Sequence, residues 1–277
     1  MTNDLVSTEW LGQHLASPDI AILDCSWHLP QAKRDAKQEF LEAHIPAARF
    51  FDLDDISDTE TKLPHMLPSP EKFSSRMRKL GIGDGKKVIC YDAAGLFSAA
   101  RAWWMFKVFG HDDVAVLDGG WTRWTSLGLP VSTTVPSPGA SFFGGSFDES
   151  RLLDANAVAA HLAAGGLLID ARSPVRFRGD EEPLDRVAGH VPCAINRPFA
   201  LNMEDGRFKS PVRLAAEYRE LLQGHDPSDV VMMCGSGVTA CHNLLAMERA
   251  GLKGAKLYAG SWSGWISDPS RPVVTGS

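Results

Sequence analysis

The sequence predicts an α/β protein of two tandem, similar domains, each a parallel sheet flanked by helices. Three observations carry this prediction. At 277 residues the chain exceeds one ordinary core and suits two. Short apolar, β-branched runs alternate with helical patterns throughout, the signature of a parallel sheet covered on both faces. The chain also repeats itself: Gly110 and Gly251, Gly120 and Ser261, and Trp124 and Trp265 share one offset of 141 residues. An offset carried by several unusual residues indicates an internal duplication.

The elements follow in order. "AILDCSW" reads as a strand and leads to "EAHIPAARFF"; in the second half "LLIDARS" leads to "AGHVPCAINRPF", and Asp24–His44 and Asp170–His190 both span 20 residues. "KKVICYDAAGLFSAARAWWMFKVFG" is a strand, a glycine-bearing loop and a helix that stops at Gly110. Its counterpart is "SDVVMMCGSGVTACHNLLAMERAG", in which Val238, Cys241, Leu244 and Leu245 open a helix ending near Gly251. "VAVLD" is a further strand. Between the halves, "STTVPSPGASFFGGSFDES" is rich in Ser, Thr, Pro and Gly and reads as a linker. The expected boundaries are 1–131, a linker over 132–150, and 151–277.

A formal net charge of −6 offers no general attraction to nucleic acid or to an anionic membrane, so an anionic ligand must be held by local positive groups. No basic region followed by an apolar run marks a secretory signal, and no segment approaches a membrane span. Five cysteines, without framework or zinc spacing, suit reduced thiols in a cytoplasmic protein with no metal. No organic cofactor is implied.

The stretch that carries chemistry is "VVMMCGSGVTACHNLL". Cys234 ends an apolar strand, and "CGSGVT" crosses from the carboxyl edge of the sheet, where ligands bind in open α/β folds, to a helix N-terminus. Gly235 and Gly237 allow successive amides to turn inward, and with Val238, Thr239 and the helix's positive end they form a cradle for an anion. Such a setting favours thiolate over thiol, and would hold a persulfide anion equally well. A Cys–Gly pair alone fits a buried structural cysteine as well. The second glycine, the hydroxyls of Ser236 and Thr239, and the place in the fold favour a reactive thiol. A cysteine phosphatase needs an arginine six positions after its nucleophile, where this chain has Ala240, and no P-loop pattern occurs.

The duplicated halves, "CGSGVTA" and the terminal "GSWSGW" resemble the rhodanese superfamily, and within it the 3-mercaptopyruvate sulfurtransferases, over nearly the whole chain. The resemblance implies a sulfurtransferase in which Cys234 takes sulfur from 3-mercaptopyruvate. A persulfide forms, pyruvate leaves, and a thiol, a thioredoxin-like dithiol or cyanide accepts the sulfur. Thiosulfate-using members carry Arg-Lys after the nucleophile; Gly235 and Ser236 stand there here, which points away from thiosulfate. Thiosulfate sulfurtransfer, a phosphatase-like or arsenate-reducing activity, and a non-catalytic sulfur-carrier or interaction module are the alternatives.

The resemblance also distributes roles. In "SPVRFRGDEEPLDRVAGH" it assigns substrate binding to Arg176 and Arg186, with one extra residue between them here, while Arg178 is expected in a surface ion pair. From "FFDLD" and "HMLP" it assigns Asp54 and His65 to a proton relay with Ser236, at a domain interface. The first-half counterpart of Cys234 is Asp92, which cannot carry sulfur, so that half is expected to be catalytically silent. His44 and His190 occupy equivalent repeat positions and are expected to be structural. His242 is expected to pack or cap, and Cys241 is expected about two helical turns beyond the nucleophile, too far for a resolving thiol. Cys25, Cys90, Cys193 and the paired tryptophans read as core.

Overall fold

The computed structural model describes residues 4–137 and 139–276. Residues 1–3, Pro138 within the expected linker, and Ser277 lie outside the described residues. The chain forms two compact units, the first of residues 1–59, 67–148 and 205–207, the second of residues 60–66, 149–204 and 208–277.

The first unit is built on strands β1 (Leu5–Val6), β2 (Ile20–Asp24), β3 (Arg49–Phe50), β4 (Lys87–Tyr91) and β5 (Val114–Leu117), in the order β1-β5-β4-β2-β3. The second sheet contains β6 (Leu152–Leu153), β7 (Leu167–Asp170), β8 (Ile195–Asn196), β11 (Val230–Met233) and β12 (Lys256–Tyr258), in the order β6-β12-β11-β7-β8. A ribbon of β9 (Met203–Glu204) and β10 (Arg207–Phe208) stands apart from both. Every pairing in the two large sheets is parallel, and the fourth strand in chain order lies at the centre of each. The predicted duplication is therefore present as topology as well as sequence.

Central strands are continuous apolar runs because both of their faces are covered: β4, β5 and β11 bury essentially every side chain apart from Lys87. Ile22, Ile45, Ile89, Tyr91 and Trp124 lie in one cluster of the first core, and Leu168, Val191, Val231, Met233, Trp262 and Trp265 in the matching cluster of the second. Helices start at side-chain caps where the sequence supplies them. Ser7, Asp35, Asp154 and Ser210 each accept a backbone N–H from the first turn.

The equivalent histidines are structural, as expected. His44 Nδ1 hydrogen-bonds the Phe40 carbonyl at 2.6 Å and stacks on that ring; His190 Nδ1 does the same with the Phe177 carbonyl at 2.8 Å and its ring. Each also closes an isolated bridge, to Ser132 and Val274 respectively. Trp124 and Trp265 likewise donate Nε1–H to the carbonyls of Pro130 and Pro272, at 2.8 and 2.9 Å.

The described residues of the stretch expected as a linker form no α-helix, a 3-10 turn starting only at Glu149, yet those up to 148 pack onto the first unit. Ser132 exchanges backbone bonds with His44, Asp84 N–H reaches the Phe142 carbonyl at 2.8 Å, and buried Phe143 packs edge-on against Phe73. The reason is aromatic content: Phe143, and Phe147 against Phe109 at 5.0 Å, anchor an otherwise polar stretch. Cys193, expected in the core, is exposed and sits at φ 66° in a turn.

The crossover after β4 shows what this fold asks of its loop. Asp92, buried, accepts N–H from Ala94 and Leu96 on Oδ1 at 2.8 Å each. Oδ2 accepts Ala99 N–H at 2.9 Å and the Ser98 hydroxyl at 3.0 Å. Three inward amides and a hydroxyl thus converge on one carboxylate. Replacing Asp92 with Ala leaves these donors buried and unpaired, and should cost about 2–4 kcal/mol by the usual penalty for orphaned polar groups. Asp92→Asn should cost clearly less, since its oxygen still accepts. Urea denaturation followed by tryptophan fluorescence checks both.

Candidate active site

The equivalent crossover of the second unit follows β11. Cys234 is the first residue past the strand, 3% exposed, and its Sγ accepts the Gly237 N–H at 3.1 Å. Gly237 adopts φ +79°, and a Cβ there would stand 2.7 Å from the Ala259 carbonyl oxygen, so the turn admits only glycine. Val238 belongs to this turn rather than to the helix, which spans Ala240–Arg249. Thr239 holds the N-cap position with αR backbone and no side-chain capping bond. Cys241 is the second residue of that helix, and its thiol donates to the Gly237 carbonyl at 3.3 Å. It stands in the first helical turn and not two turns along, because residues 235–239 are not helical. His242 is buried, stacked on Phe208 and hydrogen-bonded to Asn202, a packing role.

The backbone around Cys234 is fastened from the next crossover. Ser261 Oγ accepts the Cys234 N–H at 3.0 Å and donates to the Tyr258 carbonyl at 2.9 Å. Trp262 N–H donates to the Cys234 carbonyl and Ser263 N–H to the Gly235 carbonyl, both at 3.0 Å. Ser261 sits at φ 48°, where the first half has Gly120 at φ 52°. A side chain in the left-handed region is costly, by about 1–2 kcal/mol; here its hydroxyl pairs a buried amide of the nucleophile. Sequence reading used "GSWSGW" for the family resemblance and its tryptophans for packing, and missed this fastening. A serine at a position where the repeat has a left-handed glycine was the available signal.

His65 and Ser236 meet. The segment 60–66 comes from the first half of the sequence but clusters with the second unit, and there His65 Nδ1 and Ser236 Oγ share a hydrogen bond at 2.8 Å. His65 adopts φ 54°. Asp54 lies in the first unit, in the short helix Leu53–Ile56, and its carboxylate accepts the Trp27 Nε1–H at 3.1 and 3.2 Å.

The three arginines separate. Arg176 reaches the loop: a Cβ on Gly235 would stand 3.5 Å from both its Nη1 and Nη2. Arg178 forms the expected exposed pair with Asp180, at 2.7 Å. Arg186 is turned elsewhere and donates to the Ile266 carbonyl at the end of the helix Ser261–Trp265. Its neighbour Asp185 is the one that faces the loop, with Oδ2 3.1 Å from Arg176 Nη2 and Oδ1 accepting the Ser263 hydroxyl at 2.7 Å.

Arg176 and Asp185 are the outer end of a chain of alternating charges. Asp170, at the end of β7, pairs with Arg172 at 2.7 Å; Arg172 reaches Glu182 at 3.3 Å; Glu182 pairs with Arg176 at 2.7 Å. Arg172 is buried and lies over the Trp262 ring at 4.7 Å. Burial pushes the Asp185 carboxyl above its usual range; Glu182 adds to this, while the Ser263 bond and Arg176 oppose it. The first half lacks an equivalent of Arg172, where it has Ser26, and burial accordingly pushes the Asp24 carboxyl up. Arg172, Glu182, Asp185 and Ser263 were missed by sequence reading, because charge-rich loops are usually solvated and nothing local marked these as buried. Among the described residues no group of three His, Cys, Asp or Glu could hold a metal, and no helix is long and apolar enough to cross a membrane.

Comparison with known proteins places the chain in a family. The family model for rhodanese-like domains matches twice, over residues 7–127 and 154–268. A probable 3-mercaptopyruvate sulfurtransferase of Pseudomonas aeruginosa is 42% identical over 98% of both chains. The 3-mercaptopyruvate sulfurtransferase of Homo sapiens is 39% identical over 94% of this chain and 91% of its own. The crystal structure of SseA from Escherichia coli, described as having the rhodanese fold of 3-mercaptopyruvate sulfotransferases, superposes with a TM-score of 0.84 at 36% identity, over 94% of this chain and 98% of that one. The chain belongs to the rhodanese family, as a two-domain member resembling the 3-mercaptopyruvate sulfurtransferases.

Proposed function

We propose that the chain is a 3-mercaptopyruvate sulfurtransferase working through a persulfide on Cys234. The observation that carries this reading is a thiol at the carboxyl edge of the central strand, met by an inward amide and flanked by Arg176. The Cys234 thiolate attacks the donor sulfur, the donor's carbon–sulfur bond breaks with its electron pair going to carbon, and pyruvate leaves as its enolate. An acceptor thiolate, a dithiol or cyanide then takes the outer sulfur and returns Cys234 as thiolate. This is covalent catalysis, dividing one transfer into two easier steps.

The silent half supports the intermediate. A carboxylate oxygen lies one bond beyond Cγ, as a persulfide's outer sulfur lies one bond beyond Sγ. We read the donors on the Asp92 oxygens as the first-half counterpart of those that would meet that outer sulfur; in the Cys234 loop, one residue shorter, the Gly237 N–H points at Sγ. An uncharged thiol ends one atom short of the outer sulfur. Asp92 fills its own cradle, so we assign transfer to the second unit alone.

Ser236 and His65 are assigned to proton traffic. Their shared hydrogen bond lets the pair take the proton from Cys234 and supply one to the enolate carbon. The resemblance assigns the carboxylate of this relay to Asp54. Arg176 is assigned to the donor carboxylate, with the amides of Gly235, Gly237, Val238 and Thr239 around the transferred sulfur. Arg186 can join Arg176 only by leaving the Ile266 carbonyl. The cysteines are all thiols, which suits a reducing cytoplasmic setting and a thioredoxin-like acceptor. A net charge of −6 argues against nucleic acid or an anionic membrane as partner.

Intact-protein mass spectrometry after addition of 3-mercaptopyruvate should show one added sulfur on the wild type and none on Cys234→Ser, with pyruvate released only by the former. An unmodified wild type and no pyruvate would sink the proposal. Ser236→Ala and His65→Ala should each lower kcat/KM with 3-mercaptopyruvate by roughly 10²–10³, the usual worth of positioned acid–base groups. The double variant should lose little more than either single one, because both disable one relay.

A further inference from the structure

Asp185 is not accounted for by the reaction as written. It lies where a sulfurtransferase with an anionic donor has least use for a carboxylate. Its Oδ2 would be 3.9 Å from a Cβ on Gly235, the residue next to the nucleophile. Two bonds fix it there, from the Ser263 hydroxyl at 2.7 Å and Arg176 Nη2 at 3.1 Å. The same Ser263 donates its backbone N–H to the Gly235 carbonyl at 3.0 Å, with its Oγ 3.1 Å from that oxygen, so Asp185 is joined to the loop through Ser263. Its side chain is only 12% exposed.

The consequence for Arg176 is specific. Nε is engaged by Glu182, and Nη2 by Glu182 and Asp185. Among the described residues Nη1 takes no hydrogen bond, and it is one of the two nitrogens nearest Gly235. Across the charged chain two guanidiniums, Arg172 and Arg176, face three carboxylates, Asp170, Glu182 and Asp185. The donor's side of the loop therefore presents one arginine edge with no surplus positive charge behind it. Adjacent Arg186, which could have supplied that charge, is committed to the Ile266 carbonyl.

We propose that Asp185 is a specificity-determining residue, whose fixed carboxylate beside Gly235 admits a singly charged 2-oxo-acid donor and repels a doubly charged one such as thiosulfate. The proposal rests on the sulfurtransferase reading and names its substrate class. A monocarboxylate needs one edge of Arg176 and keeps its neutral thiol end towards Cys234. A dianion brings its second charge towards the Asp185 oxygens, where a partly buried site screens the repulsion poorly. Selection thus comes from a repulsive element as much as an attractive one.

The test uses two ratios on the full chain. One is kcat/KM for thiosulfate over that for 3-mercaptopyruvate. The other, independent of sulfur transfer, is the rate of Cys234 alkylation by anionic iodoacetate over that by neutral iodoacetamide, read by peptide mass spectrometry. Asp185→Asn keeps an acceptor for Ser263 and Arg176 while removing the charge. It should raise both ratios about tenfold, the effect of one nearby charge in a partly screened site, with the thiosulfate gain falling in KM. Asp185→Glu restores the charge and should hold both ratios near wild type. The proposal is overturned if neither ratio rises in Asp185→Asn, if only alkylation responds, or if Asp185→Glu shifts the ratios as far. If the wild type uses neither donor, the functional reading fails separately, and the alkylation ratio alone then supports or overturns the charge screen.

Discussion

The constraint on which this structure depends is the tight crossover from the central strand of a parallel sheet to its helix. Such a turn aims backbone N–H groups at a common centre, and something negative or polarisable must stand there to accept them. The chain solves this problem twice. In the first half the Asp92 carboxylate takes three amides and a hydroxyl and closes the matter structurally. In the second half the same centre is approached by the Cys234 sulfur, which meets the Gly237 N–H. The two crossovers differ in the residue that opens them, in loop length by one residue and in the donors that meet the central group.

Holding the second crossover in place requires fastening from outside the loop. The helix Ser261–Trp265 supplies it: Ser261, Trp262 and Ser263 bond the backbone of Cys234 and Gly235 on successive groups. The same helix turns the Ser263 hydroxyl to Asp185 and receives Arg186 at its end, so nucleophile backbone and charged neighbours share one support. The buried Asp170–Arg172–Glu182–Arg176 chain fixes the guanidinium at the loop by charge-assisted bonds. Preorganisation of this kind is what electrostatic catalysis needs, since the groups do not have to reorient as charge develops.

Repetition explains much of what could be read without coordinates. A strand order of β1-β5-β4-β2-β3 matched by β6-β12-β11-β7-β8 means that residues at one offset share one environment. His44 with His190 and Trp124 with Trp265 could be recognised as structural because both halves use them identically. Differences between the halves were the informative part: Asp92 against Cys234, Gly120 against Ser261, Ser26 against Arg172.

By itself the sequence determined the duplicated α/β plan, the position of the nucleophile at a strand end and the absence of a local positive pair after it. These follow from periodicity, offset and composition, which are properties of neighbours along the chain. Only the tertiary structure decided which of two adjacent side chains, Asp185 or Arg186, faces the loop, since direction in an irregular segment is set by the partners it finds, here Ser263 and Ile266. Only it could join His65 to Ser236 across 171 residues of chain, because a segment that belongs to the first half in sequence folds with the second. Local pattern carries no information about a hydrogen bond whose two ends are brought together by packing alone.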